Sequence, residues 1–206
     1  MLAIFGAGGH SRVCIDIAVS RGYNDIVVID VNNTATVNEK ILTYPVLNIS
    51  LLKDLSSFDE FFVAIGDCVE RFKWIDKILA LVNTDRLIKL THPEAVVSSA
   101  ATVGAGSLVA ANAHVGPEVN LGLGVIVNTL ASVEHQSTIG HSSHVAPGCK
   151  ICGAASIGKR VFCGANSVVF PRVVVANECV IGANAVVATD IKVKGSRTIG
   201  FHGVRS

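Results

Sequence analysis

The chain has 206 residues, half of them apolar, with 5% aromatics and a single Trp; its core must therefore be built from Val, Ile, Ala and Leu, which favours β-structure with a narrow interior. Seventeen Lys plus Arg against sixteen Asp plus Glu leave no general field for nucleic acid or an anionic membrane surface, so an anionic ligand has to be held locally. The opening MLAIFGAGGH lacks the basic region of a signal peptide and no segment approaches the ~20 apolar residues of a membrane span. The expectation is a cytoplasmic protein with no membrane insertion.

In chain order, LAIFGAGGH reads as a strand entering a Gly-rich turn. SRVCIDIAVSRGY reads as a helix, with Val13, Ile17 and Ala18 at helical spacing, and DIVVID as a second strand ending at Asp30. This is a βαβ, Rossmann-like half-fold. In the turn Gly6-Ala7-Gly8-Gly9-His10-Ser11, glycines permit close backbone approach and the following helix N-terminus favours phosphate, although Ser11 stands where a dinucleotide fingerprint has its third glycine. Asp30 is placed to meet a ribose hydroxyl, although a strand-end Asp as often forms a turn. NISLLKDLSSF predicts a helix, EFFVAIGD a buried strand with a Gly turn, and VERFKWIDKILALV an amphipathic helix; RLIKLTHP leads out. Pro93 marks the boundary, giving domains 1–91 and 92–206.

From Val97 onward the spacing changes. Every sixth residue through Val187 is Val, Ile or Leu except Cys163, and four residues after each stands a second column, mostly small, from Ala101 to Ile191. A period of six fits neither a helix nor plain strand alternation. It fits short strands joined by tight corners, three to a coil, stacked at ~4.8 Å into a triangular solenoid of about five coils. Gly104, Gly116, Gly122, Gly140, Gly158, Gly164 and Gly182, each following an aliphatic position, suggest a backbone that bends at fixed points. Of the six cysteines, Cys149 and Cys152 form CKIC. With no second pair of that spacing, core thiols are expected rather than a metal or redox site.

The hexad region resembles the hexapeptide-repeat acyltransferases. The resemblance implies a left-handed parallel β-helix, a homotrimer and active sites between neighbouring prisms. With GAGGH, FVAIGD followed by Arg71, and NT…SVEH…IG…SHVAPG, the chain is similar over almost all its length to the bacterial sugar acyltransferases that include sialic acid O-acetyltransferases and nucleotide-linked amino-sugar N-acetyltransferases. That likeness implies acetyl-CoA as co-substrate, no metal, and an acetyl acceptor carried on UDP or a similar nucleotide for surface-glycan biosynthesis. It assigns nucleotide-sugar binding to Gly8, Gly9, His10, Asp30 and Gly66, general-base catalysis to His135, and acetyl-CoA contacts to His144, Ala165 and Ala183. The family places a carboxylate directly after the catalytic His; here Gln136 stands there, able to orient the ring but bringing no charge. The resemblance gives no role to the C-terminal GFHGVRS.

N-acetylation leads O-acetylation of a sialic-acid-like sugar, because a free amine needs less help from a base than a hydroxyl does. Two other classes compete: a γ-carbonic-anhydrase-like metalloenzyme drawing on His114, His135, His141 and His144, and a non-catalytic nucleotide-binding scaffold suggested by Gln136.

Overall fold

The structure is a computed structural model that describes residues 1–198; the C-terminal GFHGVRS lies outside the described residues. The first part is a small α/β unit. Its elements are β1 (Leu2–Phe5), α1 (Gly9–Ser20), β2 (Ile26–Asp30), the hairpin strands β3 (Lys40–Ile41) and β4 (Tyr44–Asn48), β5 (Glu60–Val63) and α2 (Cys68–Leu79). The sheet order is β3-β4-β2-β1-β5, parallel except for the β3–β4 pair. β1 and β2 are buried throughout, as expected of parallel strands covered on both faces. α1 packs on one face with Leu2, Ile4 and Val28, and α2 on the other with Phe5, Phe61 and Val63.

Two local expectations change here. NISLLKDLSSF forms only a single 3-10 turn at Ile49–Leu51. Asp54 Oδ1 accepts from the Ser56 backbone N–H at 2.8 Å and from its hydroxyl at 2.5 Å, a local turn that competes with helix formation. The β3–β4 hairpin, absent from the sequence reading, supplies the fourth parallel strand.

β6 (Leu90–Thr91) is the first rung of the prism, pairing with Leu108–Val109 just ahead of Pro93. Beyond it the chain is a left-handed parallel β-helix whose three faces are parallel sheets of seven, six and five two-residue rungs. The aliphatic column is the second, inward residue of each rung from Val96–Val97 to Val186–Val187. Most of both columns is sealed in one core, Cys149 and Cys163 included. Inward serines are satisfied by the next coil: the hydroxyls of Ser107, Ser137 and Ser143 donate to the Gly122, Cys152 and Gly158 carbonyls at 2.9, 3.0 and 2.7 Å.

The glycines after the aliphatic positions do not make the bends. Positive φ falls two residues later, at Gly106, Asn112, Glu118, Gly124, Leu130, Gln136, Ser142, Gly148, Ala154, Arg160, Asn166, Arg172, Glu178 and Asn184. None of these is β-branched, as a left-handed backbone requires. Gly104, Gly140 and Gly164 serve close approach instead: a Cβ there would lie 2.5 Å from backbone atoms of the following coil.

Candidate active site

At the carboxyl ends of β1 and β5, where α1 and α2 leave on opposite faces, the chain forms a cavity of about 290 Å³. Its walls include Gly8, Gly9, His10, Asn32, Gly66 and Trp74. This is where an open parallel sheet receives a ligand. Gly8 caps α1 without a side-chain hydrogen bond, and no acidic residue occupies the helix's first turn, so the N–H groups and the positive end of the dipole face the cavity. A Cβ at Gly8, Gly9 or Gly66 would meet nothing within 4 Å, whereas one at Gly6, with φ of +114°, would press on the Ala64 carbonyl at 2.9 Å. Gly6 is thus required by the fold, while the other three leave backbone bare toward the cavity.

His10 lines this cavity, and its Nε2 is buried without a hydrogen-bond partner among the described residues. Burial, then the nearby Arg71 charge, lowers it to about 4, so it is neutral near neutral pH. Asp30 takes a different part from the ribose ligand expected of it. It is buried and outside the cavity walls; its oxygens accept from the backbone N–H groups of Asn32, Thr34 and Ala35 and the Thr34 hydroxyl at 2.6–2.9 Å. Burial would raise its pKa, but these hydrogen bonds together outweigh it and the net shift is downward. Asp30 clamps the loop that brings Asn32 to the wall.

Arg71, to which the sequence motif gives no role, lies on α2. It is fully buried, and its guanidinium joins the two halves of the chain. Nη1 donates to the Ile65 and Gly66 carbonyls at 2.8 Å, Nε to Gly124 at 2.8 Å and Nη2 to Ser142 at 2.7 Å. A buried cation survives here because a rigid fork of donors meets carbonyls from both sides.

His135 lies elsewhere. It is exposed on the corner joining the six-rung and five-rung sheets, the vertex opposite the seven-rung sheet on which the α/β unit packs. Its ring rests on Gly153, one coil on, where a Cβ would stand 2.5 Å from Nε2. The backbone there is pinned by Ala154 N–H to the His135 carbonyl and Gln136 N–H to the Pro117 carbonyl, at 2.8 and 3.0 Å. Gln136 Oε1 lies 3.4 Å from Nδ1. Both residues line a cleft with Ala154, Pro171 and Arg172.

The remaining residues are spread over the prism. Ala165 and Ala183 stack one coil apart on the corner between the seven-rung and six-rung sheets; the Ala165 carbonyl accepts from Asn184 N–H at 2.8 Å. His144 is buried between the seven-rung sheet and the α/β unit, with Nδ1 3.2 Å from the Gly66 carbonyl. His141, half-buried on the third corner, accepts from Leu123 N–H at 2.9 Å. His114 and His144 thus lie on two different faces of the prism, and His135 and His141 on two different corners.

The model of the PglD N-terminal domain family matches residues 1–78. The acetyltransferase domain of PglB from Neisseria gonorrhoeae is 33% identical, over 97% of this chain and 96% of that one, with a TM-score of 0.89. PerB from Caulobacter crescentus, solved with CoA and GDP-perosamine, is 30% identical over 92% and 89%, with a TM-score of 0.82. WeeI from Acinetobacter baumannii, at 16% identity and a TM-score of 0.64 over 97% and 96%, shares the fold alone. A prism of hexads bearing an α/β unit is the frame that this chain shares with these acetyltransferases. The chain belongs to the hexapeptide-repeat sugar acyltransferases.

Proposed function

We propose that the protein transfers the acetyl group of acetyl-CoA to the amine of a nucleotide-linked amino sugar, at a site shared between two copies in a homotrimer. One observation carries this: a single chain pairs a glycine-walled cavity at a helix N-terminus with a glycine-backed histidine on the far vertex of the prism. A sugar extending from that cavity does not face His135 of its own chain; His135 of a neighbouring chain, packed prism to prism, serves it. The PerB complex with CoA and GDP-perosamine supports a nucleotide sugar and a CoA thioester as the two substrates.

In this reading the α1 N-terminus holds the diphosphate and the His10 Nε2 meets a ligand oxygen or N–H. The sugar nitrogen attacks the thioester carbonyl, His135 takes the proton that the nitrogen loses, and the proton passes to sulfur as the C–S bond breaks. Ala165 and Ala183 leave a smooth corner against which pantetheine lies. Gln136 orients the imidazole without adding negative charge, which suits an amine better than a hydroxyl nucleophile.

The test is incubation with acetyl-CoA and a panel of GDP-, UDP- and dTDP-linked amino sugars beside free sialic acid, read by mass spectrometry. Acetylation at nitrogen of one nucleotide sugar is expected; O-acetylation of sialic acid alone would contradict the reading. His135→Ala should lower that turnover by about two to four orders of magnitude, the range for loss of a general base.

A further inference from the structure

Arg71 is fully buried, yet no ion pair among the described residues includes it; its guanidinium meets six carbonyls instead. Apolar side chains would join two halves of a chain with less desolvation than a buried cation demands, so a charge kept here points to a demand of geometry.

The six carbonyls form two groups. Gly124 and Ser142 stand at the same corner of successive coils, each with positive φ; Nε donates to the first at 2.8 Å, and Nη2 to the second at 2.7 Å and to Ser143 at 3.3 Å. On the other side, Nη1 donates to Ile65 and Gly66 at 2.8 Å and to Asp67 at 3.3 Å, the turn between β5 and α2 that walls the nucleotide-type cavity. The carbonyls of Ile65, Gly66, Gly124 and Ser142 accept from no backbone N–H among the described residues. The guanidinium fork reaches all four.

The two groups differ in what else holds them. The prism corner has its own ladder: the N–H groups of Gly124, Ser142 and Ser143 donate to the Ala105, Leu123 and Gly140 carbonyls at 2.8, 2.8 and 3.2 Å. In the turn, the N–H groups of Ile65, Gly66 and Asp67 donate to no backbone carbonyl among the described residues. The corner is therefore the fixed reference and the wall is the part that yields. α2 sits close upon that reference, since a Cβ at Gly124 would stand 2.3 Å from Ile75 Cδ1.

We propose that Arg71 is a positioning residue for acetyl transfer: its guanidinium sets the Ile65–Asp67 wall of the nucleotide cavity at a fixed spacing from the prism segment Ser142–Ser143, which leads into His144. The proposal rests on the reading of that cavity as a nucleotide site. It joins the two substrate halves, because His144 is the residue that the resemblance assigns to acetyl-CoA. A lysine would keep the charge, but its three donors spring from one nitrogen and cannot span both groups.

The test begins with the wild type. Labelled with ¹⁵N-arginine, it should show slowly exchanging guanidinium signals from buried Arg71, and these should move when GDP or UDP is added, whichever binds; signals that stay in place would contradict the proposal. If neither nucleotide binds, the cavity reading itself fails and the proposal falls with it, before any variant is compared. In Arg71→Lys at saturating acetyl-CoA, the KM for the nucleotide sugar should rise about tenfold, the effect of misplaced hydrogen bonds at the wall, with kcat within about threefold of wild type. A merely structural arginine would lower the share of folded enzyme, and so kcat, and leave KM unchanged; that result overturns the proposal. In Arg71→Ala, methylguanidinium should bring KM back toward the wild-type value and methylammonium should not. Equal rescue by the two cations would show that charge, and not the fork, is what the site needs.

Discussion

At the scale of single residues, the histidine of SVEH is singled out by its motif as the proposed base, while the floor beneath it has no local signature. Gly153 is eighteen residues away in sequence and becomes its floor only when the coil closes. Substitution Gly153→Ala should therefore act on catalysis and not on folding: Gly153 is not among the residues with positive φ, yet a Cβ would stand 2.5 Å from the His135 Nε2. If His135 is the base proposed above, displacing it by about an ångström should cost on the order of a hundredfold in kcat with the melting temperature nearly kept; steady-state kinetics beside thermal unfolding checks it. Gln136 is bound to its place by a φ of 60°, which Glu also tolerates. In Gln136→Glu a carboxylate would stand about where Oε1 now lies, 3.4 Å from Nδ1. It would favour the imidazolium, so the acidic limb of the pH–rate profile should move to higher pH. A profile that stays in place would show that residue 136 does not sense the ring. Asp30 shows the opposite failure of legibility. A strand-end Asp reads equally as ribose ligand or turn former, and only the four donors converging on it decide for the turn.

Among elements, the rungs were the most readable part of the chain, because a narrow prism admits nothing but aliphatic or small side chains at two positions in six. The corners were misread by two residues. The glycines after the aliphatic positions suggest the bends, yet the left-handed position accepts Asn, Gln, Glu, Arg and Leu, and those glycines answer to coil-to-coil contact. The helix expected over 48–58 gives way to a turn because the hydrogen bonds between Asp54 and Ser56 compete with it. The junction of α2 with the seven-rung sheet was invisible, since Arg71 reads as a surface residue of an amphipathic helix until carbonyls of both halves surround it. That junction has a pH signature. The buried His10 and His144 hold values of about 4 and about 3, below the ordinary 6.5. The unfolded chain therefore takes up protons first as pH falls. The stability is whole above about pH 6.5 and is lost progressively toward about pH 3. Thermal unfolding across that window should show the fall, with a shallower slope in His144→Phe; equal slopes in the two proteins would count against buried neutral histidines at the junction.

For the whole molecule, the distribution of the site over opposite sides of one prism is the feature no local motif could convey. The resemblance implies active sites between neighbouring prisms, and the topology, which sets the cavity and His135 apart within one chain, supports the proposal that a second copy reunites them. The most direct measurement is complementation. Gly8→Phe, at a position where a Cβ meets nothing within 4 Å, fills the cavity, and His135→Ala removes the proposed base; each variant alone should be inactive on the nucleotide sugar that the wild type acetylates. Unfolded together in equal amounts and refolded, they should recover activity in about a quarter of the sites, the share in which an open cavity of one chain meets an intact histidine of its neighbour. If the mixture, refolded to the wild-type assembly, stays as inactive as its parents, the cavity and the histidine act within one chain and the shared site is wrong.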